Sequence, residues 1–199
     1  MDDDRSLAEA LRSVYRELDD DLRADFDRSL PFQDALVDRW ERARRLGFGE
    51  AASIYNSALV FGDVEVGDST WVGPNVLLDG SGGGIRVGTW CSISAGVQIY
   101  THDTVERALT LGQAPRREGP VTIGDGCHIG ALSVVVAGVT VGDQCVIGAH
   151  SLVNRDIASR SIVVGVPARV VGHVEVDGDR ATLVYDGTGE LPPDAHAGA

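Results

Sequence analysis

The sequence predicts an all-β fold, a parallel β-helix of hexapeptide repeats, with an α-helical segment before it and a hairpin and tail after it. Three observations predict it. Apolar residues recur every six positions: Ile54, Val60, Val66, Val72 and Leu78, then Val87, Ile93 and Ile99, then Ile123, Ile129, Val135, Val141, Ile147 and Val153. Glycine often follows them, as in Val66-Gly67, Val87-Gly88, Ile123-Gly124 and Val141-Gly142. Four positions beyond each apolar residue stands a small or β-branched one, among them Ala58, Thr70, Cys91, Cys127, Ser133 and Cys145. A helix cannot put residues i and i+6 on one face, and a plain strand alternates by two. A period of six therefore means a short strand plus a turn, repeated. Three such units close a triangular coil of about eighteen residues, and stacked coils bury the apolar column. Strands of successive coils pair in parallel, with the coil itself as the crossover.

Taken in order, residues from about Ser6 to Leu46 read as helical. Leu7, Leu11, Val14, Leu18, Leu22 and Phe26 form one apolar stripe between charged faces. Pro31 opens a second helix and Gly47 closes it. These helices cover one end of the domain. Boundaries follow at 1–50 for the helical segment, 54–172 for the coil and 173–199 for the hairpin and tail. Two stretches break the period: a short glycine-rich excursion, Asp79-Gly80-Ser81-Gly82-Gly83-Gly84, and a longer loop, 103–119. Long excursions from a repetitive scaffold are where function concentrates. After the last coil, Val174 to Asp179 and Thr182 to Tyr185 read as a hairpin with an Asp-Gly turn.

The composition narrows the partners. Of 199 residues, 43% are hydrophobic and 24% charged, an ordinary globular balance, and no apolar run approaches a membrane span. The formal net charge is −13, and all seventeen cationic residues are arginine. That acidity disfavours nucleic acid, so an anionic ligand needs a local arginine cluster. The start Met1-Asp2-Asp3-Asp4 is acidic where a secretory signal is basic and then apolar, which leads to the expectation of a cytoplasmic protein. Cys91, Cys127 and Cys145 lack CxxC spacing and fall at the small inward position, so they read as free core thiols.

The stretch from Pro120-Val121-Thr122-Ile123-Gly124-Asp125 to Val164-Gly165-Val166-Pro167-Ala168-Arg169 resembles the hexapeptide acyltransferases, among them the galactoside, maltose, xenobiotic and polysaccharide O-acetyltransferases. The resemblance implies a left-handed coil, a homotrimer with sites at subunit contacts, and acetyl-CoA as cosubstrate without a metal. It implies a small-molecule acceptor, a sugar or nucleotide sugar.

His102, at the root of the long loop, matches the family's general base. The chemistry wants an imidazole there, because a hydroxyl or amine loses its proton as it attacks a thioester and imidazole titrates near neutral pH. In the galactoside enzymes this histidine stands about two residues further past the strand. Ala131 and Ala149 match main-chain contacts to pantetheine, Arg155 and Arg169 the cations for the phosphates, and Pro167 the turn against the nucleotide. His128 falls where relatives line the acceptor pocket; an outward-facing coil histidine is the plainer account. His150 falls beside the coenzyme groove. Asp79 falls where relatives bind acceptor, and Asp-Gly turn formation explains it equally well.

Two other readings share the fold. A γ-type carbonic anhydrase needs converging histidines, but the corresponding positions are Ala131 and Val136, which cannot ligate zinc. A non-catalytic β-helix scaffold would have no use for the histidine, the arginines or the Pro-Ala-Arg ending.

Overall fold

The computed structural model describes residues 2–187; His196 and the rest of the tail lie outside the described residues. Helix α1 (Asp2–Phe26) runs longer than the stripe alone requires. Its attachment is one-sided: Leu7, Leu11, Val14 and Phe26 stay exposed, while Tyr15 donates its hydroxyl to Leu30 O at 2.8 Å and packs edge-on against Phe32. The expected second helix is two. Helix α2 (Phe32–Leu36) ends at extended Val37, and Asp38 starts α3 (Arg39–Arg45) by accepting from the amides of Trp40 and Glu41. An aspartate that satisfies two free amides is a strong start signal, and it outweighs continuity of the apolar stripe. Helix α3 closes the coil from below, its Arg42 guanidinium reaching the carbonyls of Tyr55 and Ala58. No described helix is long and apolar enough to cross a membrane.

From Ser53 the chain winds as a parallel β-helix. Its first face stacks Ser53–Ile54, Trp71–Val72, Ser92–Ile93, His128–Ile129, Val146–Ile147 and Ser161–Val164 in register. The second face stacks Leu59, Leu77, Gln98, Val134 and Leu152. The third stacks Glu65, Arg86, Thr122 and Thr140. Partners stand eighteen residues apart in Ser53↔Trp71 and His128↔Val146, twenty-one in Trp71↔Ser92 and thirty-six in Ser92↔His128. The two larger steps measure the two excursions: both are accommodated without disturbing the stack.

The hexad residues from Ile54 to Val153 fill the core, all buried except the partly exposed Val60. The inward small positions form a second column. Thr70 donates to Gly88 O, Cys91 to Gly124 O, Cys127 to Gly142 O and Cys145 to Ala158 O, so each satisfies a carbonyl of the next coil. Neighbouring thiols and burial hold Cys127 well above the usual thiol range, which makes it an inert core residue. The recurrent glycine has an equally local cause. A Cβ on Gly124 would lie 2.2 Å from Asp143 Oδ1, the atom that accepts from Asp125 N in the coil below. The same clash, at 2.3 Å, faces Gly88 and Asp125. Glycine leaves the room in which each aspartate caps the preceding turn.

Because Ile147 is fully buried in this column, Ile147→Ala is expected to cost about 2–5 kcal/mol. A urea midpoint unchanged from the parent would contradict that packing.

The hairpin also starts earlier than Val174. Arg169–Asp177 turns back antiparallel on Ser161–Val164 and pairs with Arg180–Tyr185 across the two-residue turn Gly178-Asp179.

Candidate active site

Along the third coil Ile99 and Thr101 are fully buried, so strand alternation turns Tyr100 and His102 outward. Thr101 ties three segments together. Its hydroxyl donates to Asp79 O at 2.7 Å and accepts from Gly82 N at 2.8 Å, and its carbonyl accepts from Gly119 N at 2.9 Å. His102 and Asp103 then pair antiparallel with Glu118 and Arg117, so the long loop leaves and returns at one point, with a short helix, α4 (Val105–Leu109), inside it. His102 is thus held by strand backbone, at the corner between the second and third faces.

The glycine-rich excursion is not a turn. Asp79 to Gly84 lie within one extended strand, Leu77–Val87, which follows Leu59–Val66 around the same corner. The reading of Asp79 as an Asp-Gly turn former does not survive, and the reason is steric. A Cβ on Gly80 would lie 2.1 Å from Asp63 O, and one on Gly82 would lie 2.4 Å from Thr101 O. The glycines permit close approach of three backbones. They bring Asp79 Oδ2 to 3.7 Å from His102 Nδ1, with the two side chains only 13% and 21% exposed. Ser81 Oγ lies 3.4 Å from the same Nδ1 and donates to Asp79 Oδ1 at 2.6 Å. Arg116 donates to Ser81 O at 2.7 Å and pairs with Glu118 at 2.5 Å, which pins the returning limb of the loop.

The remaining sequence-derived residues lie elsewhere. Ala131 and Ala149 stack at the corner between the first and second faces, linked by His150 N donating to Ala131 O at 2.9 Å. Among the described residues, the N–H groups of Ala131 and Ala149 donate to no backbone carbonyl, with Ala131 half-buried and Ala149 exposed. Pro167, after a cis Val166–Pro167 peptide, follows Gly165, which accepts from Leu152 N above the same corner. Arg155 is exposed at the second-to-third-face corner, and Arg169 is exposed at the start of the last long strand, donating to Ala168 O at 2.9 Å. His128 is exposed on the first face, which lies opposite the His102 corner in a triangular coil. One chain therefore brings His102 and Asp79 together and keeps both apart from Ala131, Ala149, Pro167 and His128. His150 is exposed in a left-handed corner position, and His173 sits 3.4 Å from Glu175. Among the described residues no group of three or more His, Cys, Asp or Glu is arranged to hold a metal ion.

Ser81, Thr101 and Arg116 were not singled out in the sequence. The signal for Ser81 was present: Asp79 and Ser81, two apart, share one face of a strand if the glycines are read as strand residues.

The family described as bacterial transferase hexapeptide (six repeats) matches residues 120–155. Serine acetyltransferase 4 of Arabidopsis thaliana is 31% identical over 134 residues, 66% of this chain and 36% of the relative. A 2,3,4,5-tetrahydropyridine-2,6-dicarboxylate N-acetyltransferase of Lacticaseibacillus paracasei is 51% identical over 72 residues, 36% of this chain and 31% of the relative. The chain thus spans about a third of the length of these curated relatives. Among solved structures, a hexapeptide-repeat containing acetyltransferase from Vibrio cholerae, complexed with acetyl-CoA, is 30% identical with a TM-score of 0.59, covering 83% of this chain and 87% of that one. AntD, an N-acyltransferase from Bacillus cereus in complex with dTDP and 3-hydroxybutyryl-CoA, shares the fold at 22% identity and a TM-score of 0.56, covering 69% of this chain and 90% of that one.

Proposed function

Since this chain belongs to the hexapeptide-repeat acyltransferase family, we propose that it transfers an acetyl group from acetyl-CoA to a hydroxyl or amine of a small acceptor, with His102 as general base. The observation that carries the proposal is the His102–Asp79 pair at the root of the long loop. The acceptor's oxygen or nitrogen attacks the thioester carbonyl, the new C–O or C–N bond forms and the C–S bond breaks. The acceptor's proton passes to the His102 imidazole and from there to the departing coenzyme sulfur. Asp79 acts by stabilising the imidazolium formed in between, a charge-assisted contact in a half-sheltered site.

The coenzyme runs along the later coils, 54–172 being the catalytic region. The amides of Ala131 and Ala149 hydrogen-bond the pantetheine arm, Pro167 shapes the turn against the nucleotide, and Arg155 and Arg169 meet the phosphates. No metal enters this chemistry. Ala131, Ala149 and Pro167 lie on a different corner of the chain from His102, so a working site takes its base from one copy and this part of its coenzyme groove from the next. A homotrimer of left-handed coils, which the family resemblance implies, would bring these corners together across a subunit contact. His128, on the first face, then borders the acceptor from across a subunit contact. The acceptor class is a sugar or nucleotide sugar, and the cytoplasm, where acetyl-CoA is made, suits the reaction.

A phosphate contact made equally in ground and transition states is uniform binding. Arg169→Glu is therefore expected to raise KM for acetyl-CoA about tenfold or more while kcat stays near parental, with Arg155→Glu showing a smaller rise. Coenzyme affinity equal in mutant and parent would remove both arginines from the site.

A further inference from the structure

We propose that Ser81 is a positioning residue for His102: its hydroxyl, committed to Asp79, fixes the imidazole in the tautomer that leaves Nε2 free to take a proton. The inference rests on the general-base reading above and adds a residue to it. A serine hydroxyl has one proton and two lone pairs. Here the proton is spent on Asp79 Oδ1, at 2.6 Å, so only lone pairs are left to face His102 Nδ1 at 3.4 Å. The other group near Nδ1 is Asp79 Oδ2 at 3.7 Å, which as a carboxylate is also acceptor-only. Both neighbours of Nδ1 therefore call for a donor. A neutral imidazole carries one N–H, and with it at Nδ1 the lone pair sits at Nε2.

The backbone around Ser81 is built to hold it there. Ser81 N donates to Asp79 Oδ1 at 3.1 Å, Ser81 O accepts from Arg116, and Gly82 N is tied to Thr101. The flanking glycines let the strand come close enough for a side chain as short as serine to reach the ring. An alanine here would leave Asp79 Oδ2, at 3.7 Å and no longer held by the serine hydroxyl, as the one protein acceptor facing Nδ1, with water in the place of Oγ, so the tautomer would be selected less strongly.

Serine, histidine and aspartate also make up nucleophilic triads, but the order here is wrong for one. A nucleophilic serine gives its proton to the imidazole nitrogen opposite the one the aspartate holds. In this site serine and aspartate face the same nitrogen, and the serine proton goes to the carboxylate. Ser81 is therefore not set to form an acyl-enzyme.

The test combines kinetics with ¹⁵N NMR of the histidine-labelled full chain. In the parent, the His102 ring, identified by the loss of its signals in His102→Ala, is expected as the Nδ1–H tautomer. In Ser81→Ala it should shift toward Nε2–H, with kcat lowered about three- to tenfold, the fold-change of one lost hydrogen bond, and KM for acetyl-CoA unchanged. Ser81→Thr, which keeps the hydroxyl, should restore both tautomer and rate. A parent ring in the Nε2–H tautomer, or a Ser81→Ala variant with parental rate and tautomer, would overturn the role of Ser81 and leave His102 as base untouched. A His102→Ala variant at parental rate would instead sink the general-base reading itself.

Discussion

His102→Ala is expected to lower kcat by roughly 10²–10⁴-fold, the usual worth of a positioned general base. The fold should hardly notice. The side chain is outward-facing at a loop root and its backbone pairing with Glu118 does not depend on the ring, so no core cavity opens. Affinity for acetyl-CoA should persist, because the residues proposed to bind it, Ala131, Ala149, Arg155 and Arg169, lie on later coils than His102. His128→Ala is the companion control, since it removes the histidine that the family resemblance sets against the acceptor pocket. A near-parental His102→Ala beside an inactive His128→Ala would move the base to His128. If both stay active, histidine is not the base, and an amine acceptor that needs none becomes the better account.

Gly82→Ala is the second large effect. Its Cβ would lie 2.4 Å from Thr101 O and 2.7 Å from His102 Cβ, and neither is the far end of a flexible side chain. The strand or the loop root must shift, which separates Asp79 and Ser81 from the imidazole. A misplacement of about 1 Å costs on the order of 10²-fold, so kcat should fall by about that factor. Stability should fall by about 1–3 kcal/mol, as for other overpacked positions, without loss of the coil. KM for acetyl-CoA should hold. Parental turnover by a folded Gly82→Ala would show that the close approach of these backbones has no part in the chemistry.

Much of the architecture was legible because coils repeat. Each hexad residue, from Ile54 to Val153, repeats one environment, so a single physical rule is tested many times along the chain. Cys91, Cys127 and Cys145 were placed as core thiols on the same ground, and they sit there as donors to the next coil. Where the repeat stops, local chemistry had to be read once, and competing signals won. At Val37-Asp38 a capping aspartate overrode an apolar stripe. At Asp79 to Gly84 the glycines were read as an excursion from the repeat, with an Asp-Gly turn as one account of Asp79, whereas they mark a strand crowded by its neighbours' backbones. That misreading hid the Asp79–Ser81 face and with it half of the histidine's surroundings. His102 itself was legible from its place at a loop root. Its distance from Ala131 and Pro167 was not, because the two excursions interrupt the hexad count that assigns each residue to a corner.

The most direct test of the account is acceptor-dependent release of coenzyme thiol from acetyl-CoA by the full chain, across a panel of nucleotide sugars and simple glycosides. The account predicts that at least one of these acceptors releases thiol in step with the acetylated product seen by mass spectrometry, and that His102→Ala abolishes both. No thiol release with any acceptor, together with no measurable binding of acetyl-CoA, would contradict it and leave a β-helix scaffold as the better reading.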